Sequence, residues 1–184
     1  MENMMKLQET GTVMEKTARQ RPVWKDLVSL LVKIASIALA FVLLFTFLFG
    51  IARYQDPSMA PAIRDGDLVI FYRHGKSGYL PQDAIALKKD GQVQVRRVIA
   101  VAGDTVDISA DGLVINGALQ YEPEIYQKTE RFEEGADFPL TVPEGHVFVL
   151  GDSREGAADS RIYGPVRVRD TLGKVMTVIR RRGI

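Results

Sequence analysis

The chain has 184 residues, enough for one domain of ordinary size with an appendage. Its 24 lysines and arginines against 23 aspartates and glutamates leave a net charge of +1, so no global basic field suits it to nucleic acid. It has no cysteine and only two histidines, His74 and His146, which excludes disulfides and thiol chemistry and gives no ground for a metal site or a cofactor.

Residues 1–26 begin with a polar stretch that lacks periodicity, which predicts a disordered tail. Residues 34–52, IASIALAFVLLFTFLFGIA, then run 19 residues without a charge, close to the ~20 needed to cross a bilayer core. The apolar run at 27–32 extends this segment, and Lys33 can snorkel. A transmembrane helix over 27–52 is the prediction. A core helix of a soluble protein would have to be apolar all round inside a small domain. A cleaved signal peptide would have a shorter apolar stretch, about 7–15 residues, followed by a small-x-small cleavage site. Lys16, Arg19, Arg21, Lys25 and Lys33 precede the span, against Arg53 alone just after it. Positive residues stay inside, which predicts a cytoplasmic N-terminus and an extracellular domain over 53–184.

Beyond the span the pattern becomes strand-like. Runs at 67–72, 84–87 and 93–101 are rich in β-formers, and the last passes from polar alternation to a continuous apolar end. Runs at 105–109 and 113–115 flank Ala110-Asp111-Gly112, a hairpin signal, and Asn116-Gly117 supplies a second turn. Further strands are predicted at 146–150 and 174–179, with a polar loop or small lobe near 120–140. The fold class is mainly β.

Three segments carry groups capable of chemistry. In Asp56-Pro57-Ser58-Met59-Ala60-Pro61, prolines on both sides of a serine stiffen the backbone and fix the direction of its hydroxyl. Five residues separate Ser58 from Arg53, so even an extended chain keeps the serine within ~20 Å of the span's end. Read alone, the segment is also a plain Pro/Ser turn leaving a membrane. Arg96 and Arg97 enter an apolar strand, where at least one must meet a carboxylate. Residues 151–161, GDSREGAADSR, are dense in side chains that bond backbone, with Asp159 able to pair Arg161 or Arg97.

Taken in order, PSMAP, GDLVIF, RRVIAVAGDTV and EGHVFVLGDSREGAADSRIYGPV resemble the boxes of type I signal peptidases, membrane-bound serine proteases that remove signal peptides from exported proteins. The likeness is to the Gram-positive-type, single-span members. It implies an antiparallel β domain anchored by one N-terminal helix, with exported preproteins and the lipid bilayer as partners. It places Ser58 as nucleophile and its amide as an oxyanion donor, with Met59 and Pro61 shaping the substrate pocket. Asp159 and Arg161 keep the family's structural pair. The substrate's extended segment is expected beside the strands as an added strand.

The chain departs from the family at the base. The family's catalytic lysine corresponds to position 96, and this chain has Arg96. A lysine can be brought to pKa ~7–8 by burial, whereas a guanidinium keeps its proton at neutral pH. Ala157 stands where many members have a serine bonded to that lysine, Ala62 replaces a threonine, and Ser153 replaces an asparagine. Lys76, Lys88, Lys89, His74 and His146 are the remaining candidate bases. Two functions follow from the resemblance. One is a signal peptidase with an altered base. The other is a catalytically impaired relative that binds exported or pilus proteins, working with pilus and sortase machinery.

Overall fold

The computed structural model describes residues 23–75 and 78–180. The predicted polar tail up to residue 22, with Lys16, Arg19 and Arg21 of its basic flank, and the candidate base Lys76 lie outside the described residues. The chain divides into two compact units after Leu43.

Helix α1, Val23–Leu48, has 26 residues and so is about 39 Å long at 1.5 Å per residue. Its charges are confined to Lys25, Asp26 and Lys33, and none of its residues is buried. An apolar helix that buries no residue is consistent with a membrane anchor. Its bounds differ from the predicted 27–52. The helix starts earlier and stops at Leu48, and Phe49–Arg53 forms strand β1, paired antiparallel with β2, Leu68–Tyr72. The reason lies at Gly50. Glycine is a poor helix former, and here it sits opposite Phe71, whose ring occupies the space a Cβ would need.

The predicted strands are present with small changes of bounds: β3 is Ala84–Lys89, β4 Gln92–Val101, β5 Thr105–Ser109 and β6 Gly112–Ile115. Short strands β7, Ala118–Leu119, and β8, Leu140–Thr141, were not legible, being too short for alternation to register. After them come β9, His146–Leu150, and helix α2, Ser160–Tyr163. The last strands are β10, Val166–Arg167, and β11, Thr171–Ile179. Both predicted turns are where the sequence puts them. At the second, Asn116 and Gly117 have φ of 52° and 80°, as a two-residue turn between twisted strands requires.

Among the described residues two antiparallel sheets result, one ordered β1-β2-β11-β3-β4-β9-β10 and a smaller one ordered β7-β6-β5-β8. The polar stretch at 120–140 is a lobe bounded by β7 and β8 on the smaller sheet. Strand β4 lies between β3 and β9, with Arg96 opposite Ile85 and Arg97 opposite Leu150. Among the described residues, three apolar clusters fill the domain. One is built on Tyr54, Met59, Ile63, Val69 and Val95, and so packs directly beneath the serine segment. That packing fixes Ser58.

Candidate active site around Ser58

After β1 the chain runs extended to Asp56, which caps a single 3₁₀ turn, Pro57–Met59. Pro57 suits the first position of such a turn, because its fixed φ is already right and it has no N–H to satisfy. Asp56 is extended, with φ −148° and ψ 126°, and its Oδ1 accepts the Ser58 amide at 2.8 Å. The same oxygen accepts the Ser58 hydroxyl. Ser58 is 3% exposed, and its carbonyl receives the Ser153 amide at 2.9 Å, tying the serine turn to the loop at 151–161.

Arg96 lies on the other side of Asp56. Its Nη1 donates to Asp56 Oδ2 at 2.9 Å and to its neighbour's carbonyl, Val95 O, at 2.7 Å. Nε and Nη2 both donate to Ala158 O, at 3.0 and 2.9 Å. The side chain is 1% exposed. A cation this deep in a sheet is tolerable because each of its nitrogens meets an oxygen. Every nitrogen of the guanidinium thus has a fixed acceptor, with four hydrogen bonds in all, and it reaches Ser58 through Asp56.

Burial alone would push the Asp56 carboxyl up, but the two hydrogen bonds from Ser58 and the adjacent Arg96 charge outweigh it and hold the group below its ordinary value. Two phenols, Tyr54 and Tyr163, are turned toward the guanidinium without forming a well-made hydrogen bond. Burial raises both, Tyr163 to about 12, so they are neutral near physiological pH.

The remaining predicted residues are brought into the same region with distinct duties. Asp159 and Arg161 form a bidentate pair, Nε to Oδ1 and Nη2 to Oδ2, both at 2.9 Å. Asp159 also caps α2 and accepts the Gly151 amide at 3.1 Å, so the pair fastens the 151–161 loop behind the serine. Arg97 pairs with Asp152 rather than Asp159, again bidentate, at 2.7 and 2.6 Å. Met59 is fully buried in the cluster beneath the turn. Pro61 and Ala62 line a cavity of about 540 Å³ with Gln82, Arg97, Asp152 and the exposed Tyr126. Ala157 is buried against Gly151, where the packing leaves no room for a side chain on the glycine: a Cβ on Gly151 would meet Ala157 and lie 2.7 Å from Ser58 O.

Among the described residues, no candidate replacement base bonds Ser58 or Asp56. Lys89 sits over the Tyr163 ring at 4.5 Å, and Lys88 and His146 line the adjoining hollow with Tyr163 and Asp170. His74 packs at a tilt against Phe47, ring centroids 4.7 Å apart. Sequence reasoning gave no role to Asp56, Tyr54, Asp152 or Arg154. A signal for Asp56 was available: an aspartate directly before a proline and two residues ahead of a serine is a common cap of a short turn. Arg154 is fully buried and bonds Glu122 through both terminal nitrogens, at 2.7 and 2.5 Å, so it fastens the 120–140 lobe to the site loop.

A sequence profile described as "Signal peptidase, peptidase S26" matches residues 27–179, most of the chain. The chain belongs to the signal peptidase family. Signal peptidase IB of Staphylococcus aureus (strain Mu50 / ATCC 700699) is 34% identical to it over 164 residues, covering 77% of this chain and 85% of that protein. Signal peptidase I U of Bacillus subtilis (strain 168) is 32% identical over 116 residues, covering 58% of this chain and 62% of that one. A signal peptidase I crystal structure from Enterococcus faecalis V583 matches with 33% identity and a TM-score of 0.45, covering 54% of this chain and 97% of that one. Within this signal peptidase family member, the serine box and Arg96 meet at one carboxylate, Asp56, while Arg97 and the 151–161 loop join through Asp152 and the loop reaches Ser58 through the Ser153 amide.

Proposed function

We propose that this chain is a membrane-bound serine endopeptidase that cleaves N-terminal signal peptides from exported proteins at the outer membrane surface, with Ser58 as the nucleophile. Helix α1 is the anchor, its basic flank keeps the N-terminus in the cytoplasm, and the β domain works on the far side. The observation that carries the reading is the Ser58 hydroxyl. It donates its proton to a carboxylate, which leaves the oxygen lone pairs directed away from the acceptor and available for attack on a carbonyl. The cavity lined by Pro61 and Ala62 adjoins the same turn and suits the polypeptide on one side of the cut.

One observation favours a second reading. Arg96 stands where the family has its general base, and its nitrogens are all committed to oxygens. A protein with this arrangement that does not turn over would hold exported or pilus proteins in the groove and act in assembly beside sortases. Cleavage of an exported precursor by the wild type, Ser58→Ala and Arg96→Lys separates the two. Cutting by the wild type and not by Ser58→Ala supports the peptidase. Cutting by Arg96→Lys alone means a sound scaffold that is silent in its natural form.

A further inference from the structure

We infer that Asp56 is the group that takes the proton from Ser58 during attack, with Arg96 as the positioning residue that holds its carboxylate in line. The inference rests on the peptidase reading above and supplies the base that reading lacks.

Three observations lead to it. The Ser58 hydroxyl donates to Asp56 Oδ1, so the proton already points along the path it would travel. Arg96 binds only the opposite oxygen, Oδ2, at 2.9 Å, leaving Oδ1 to the serine. The other titratable groups facing the carboxylate are unsuited to the task. Arg96 comes from β4 and is a cation, while Tyr54, two residues earlier, and Tyr163, from α2, are phenols that burial keeps protonated. Among the described residues, Lys88, Lys89, His74 and His146 make no hydrogen bond to Ser58 or Asp56, whose side-chain partners are each other and Arg96.

The steps balance. Ser58 Oγ forms a bond to the substrate carbonyl carbon, its proton passes to Asp56 Oδ1, and the carbonyl π pair moves onto oxygen. Collapse breaks the C–N bond, and the leaving nitrogen takes the proton from Asp56, giving an acyl ester on Ser58. Water then attacks the ester, its proton goes to Asp56, and the Ser58 oxygen departs and recovers that proton. Asp56 Oδ1 also accepts the Ser58 amide at 2.8 Å. A protonated carboxyl is a weaker acceptor than a carboxylate, so the proton transfer loosens the amide just as negative charge grows on the substrate oxygen. One residue thus couples the base to the release of an oxyanion donor.

The test uses the full chain in detergent with a precursor protein as substrate. It compares wild type, Ser58→Ala, Asp56→Asn and the double variant Asp56→Asn/Arg96→Met. Asparagine keeps an acceptor for the Ser58 amide and so preserves the cap. The double variant removes both ends of the ion pair and so leaves no uncompensated buried charge if the single variant fails to fold. The expected result is a fall in kcat of about 100-fold or more in both Asp56 variants, with little change in KM. The wild-type pH profile should stay flat into mildly acid conditions, because a carboxylate remains ionised there. A profile that rises with pH through about 8 would indicate an amine base and overturn the proposal. So would a folded Asp56 variant, single or double, that cuts at the wild-type rate while Ser58→Ala does not, and that outcome leaves the peptidase reading intact. A wild type that leaves the precursor uncut, or a Ser58→Ala that cuts equally well, overturns both.

Discussion

Arg96 reaches the nucleophile through an intermediary: its Nη1 meets Asp56 Oδ2 at 2.9 Å, and the other oxygen of that carboxylate faces Ser58. The pair is enclosed, with the guanidinium 1% exposed and the carboxylate 20% exposed. Truncating one partner of such a pair leaves an uncompensated charge, and removing both does not. Arg96→Ala is therefore expected to destabilise the domain by about 3–5 kcal/mol, and Asp56→Ala/Arg96→Ala by clearly less than the two single changes summed. Thermal or denaturant melts of the four proteins measure this coupling directly.

The acid limb of stability should carry the same signature. The folded Asp56 carboxyl is held below its ordinary value by Ser58 and Arg96 despite the opposing effect of burial. Its contribution is therefore fully present above the unfolded value of about 4 and is lost as pH falls through the folded value. The stability difference between wild type and Asp56→Asn should be largest near neutrality and should shrink below about pH 4. Urea titrations at stepped pH test this. A difference that grows toward acid would show the sign to be wrong.

The Asp159–Arg161 pair fastens the 151–161 loop. Both side chains are essentially buried, and Asp159 additionally holds the Gly151 amide. Arg161→Ala is expected to cost about 3–5 kcal/mol, because it strands a buried carboxylate. Arg161→Lys should recover only part of this, since an ammonium cannot reproduce the bidentate fork. Melting curves of the two variants check it.

Gly151→Ala tests the close approach behind the serine. The added Cβ would lie 2.7 Å from Ser58 O and would also press on Ala157. Overpacking of this kind costs about 1–3 kcal/mol, and here the displaced backbone belongs to the serine itself. Stability should fall by that amount and precursor cleavage should fall by more than stability alone explains.

Much of the fold was legible because β4 and β9 carry long apolar runs bounded by glycine and charge, and because Asn116-Gly117 demands a tight turn. The helix end was misplaced because Phe49, Gly50, Ile51 and Ala52 are as apolar as a span, and composition does not reveal that they pair with β2. At the site, the position of Ser58 and the pairing of Asp159 with Arg161 followed from ordered motifs. The partner of Arg97 did not, because two aspartates, Asp152 and Asp159, compete within the same loop and only the register of β4 against β9 chooses between them. Asp56 was hidden for another reason. A residue two positions before a serine reads as a cap, and its link to Arg96 spans 40 residues of sequence.

The central claim is that Ser58 attacks the signal-peptide junction of an exported protein. Incubating a full-length precursor with the wild type and with Ser58→Ala, and sequencing the N-terminus of any product, tests it most directly. The account predicts one new N-terminus at the signal-peptide junction with the wild type and none with Ser58→Ala. The same product from both proteins, or an intact precursor with both, would contradict it.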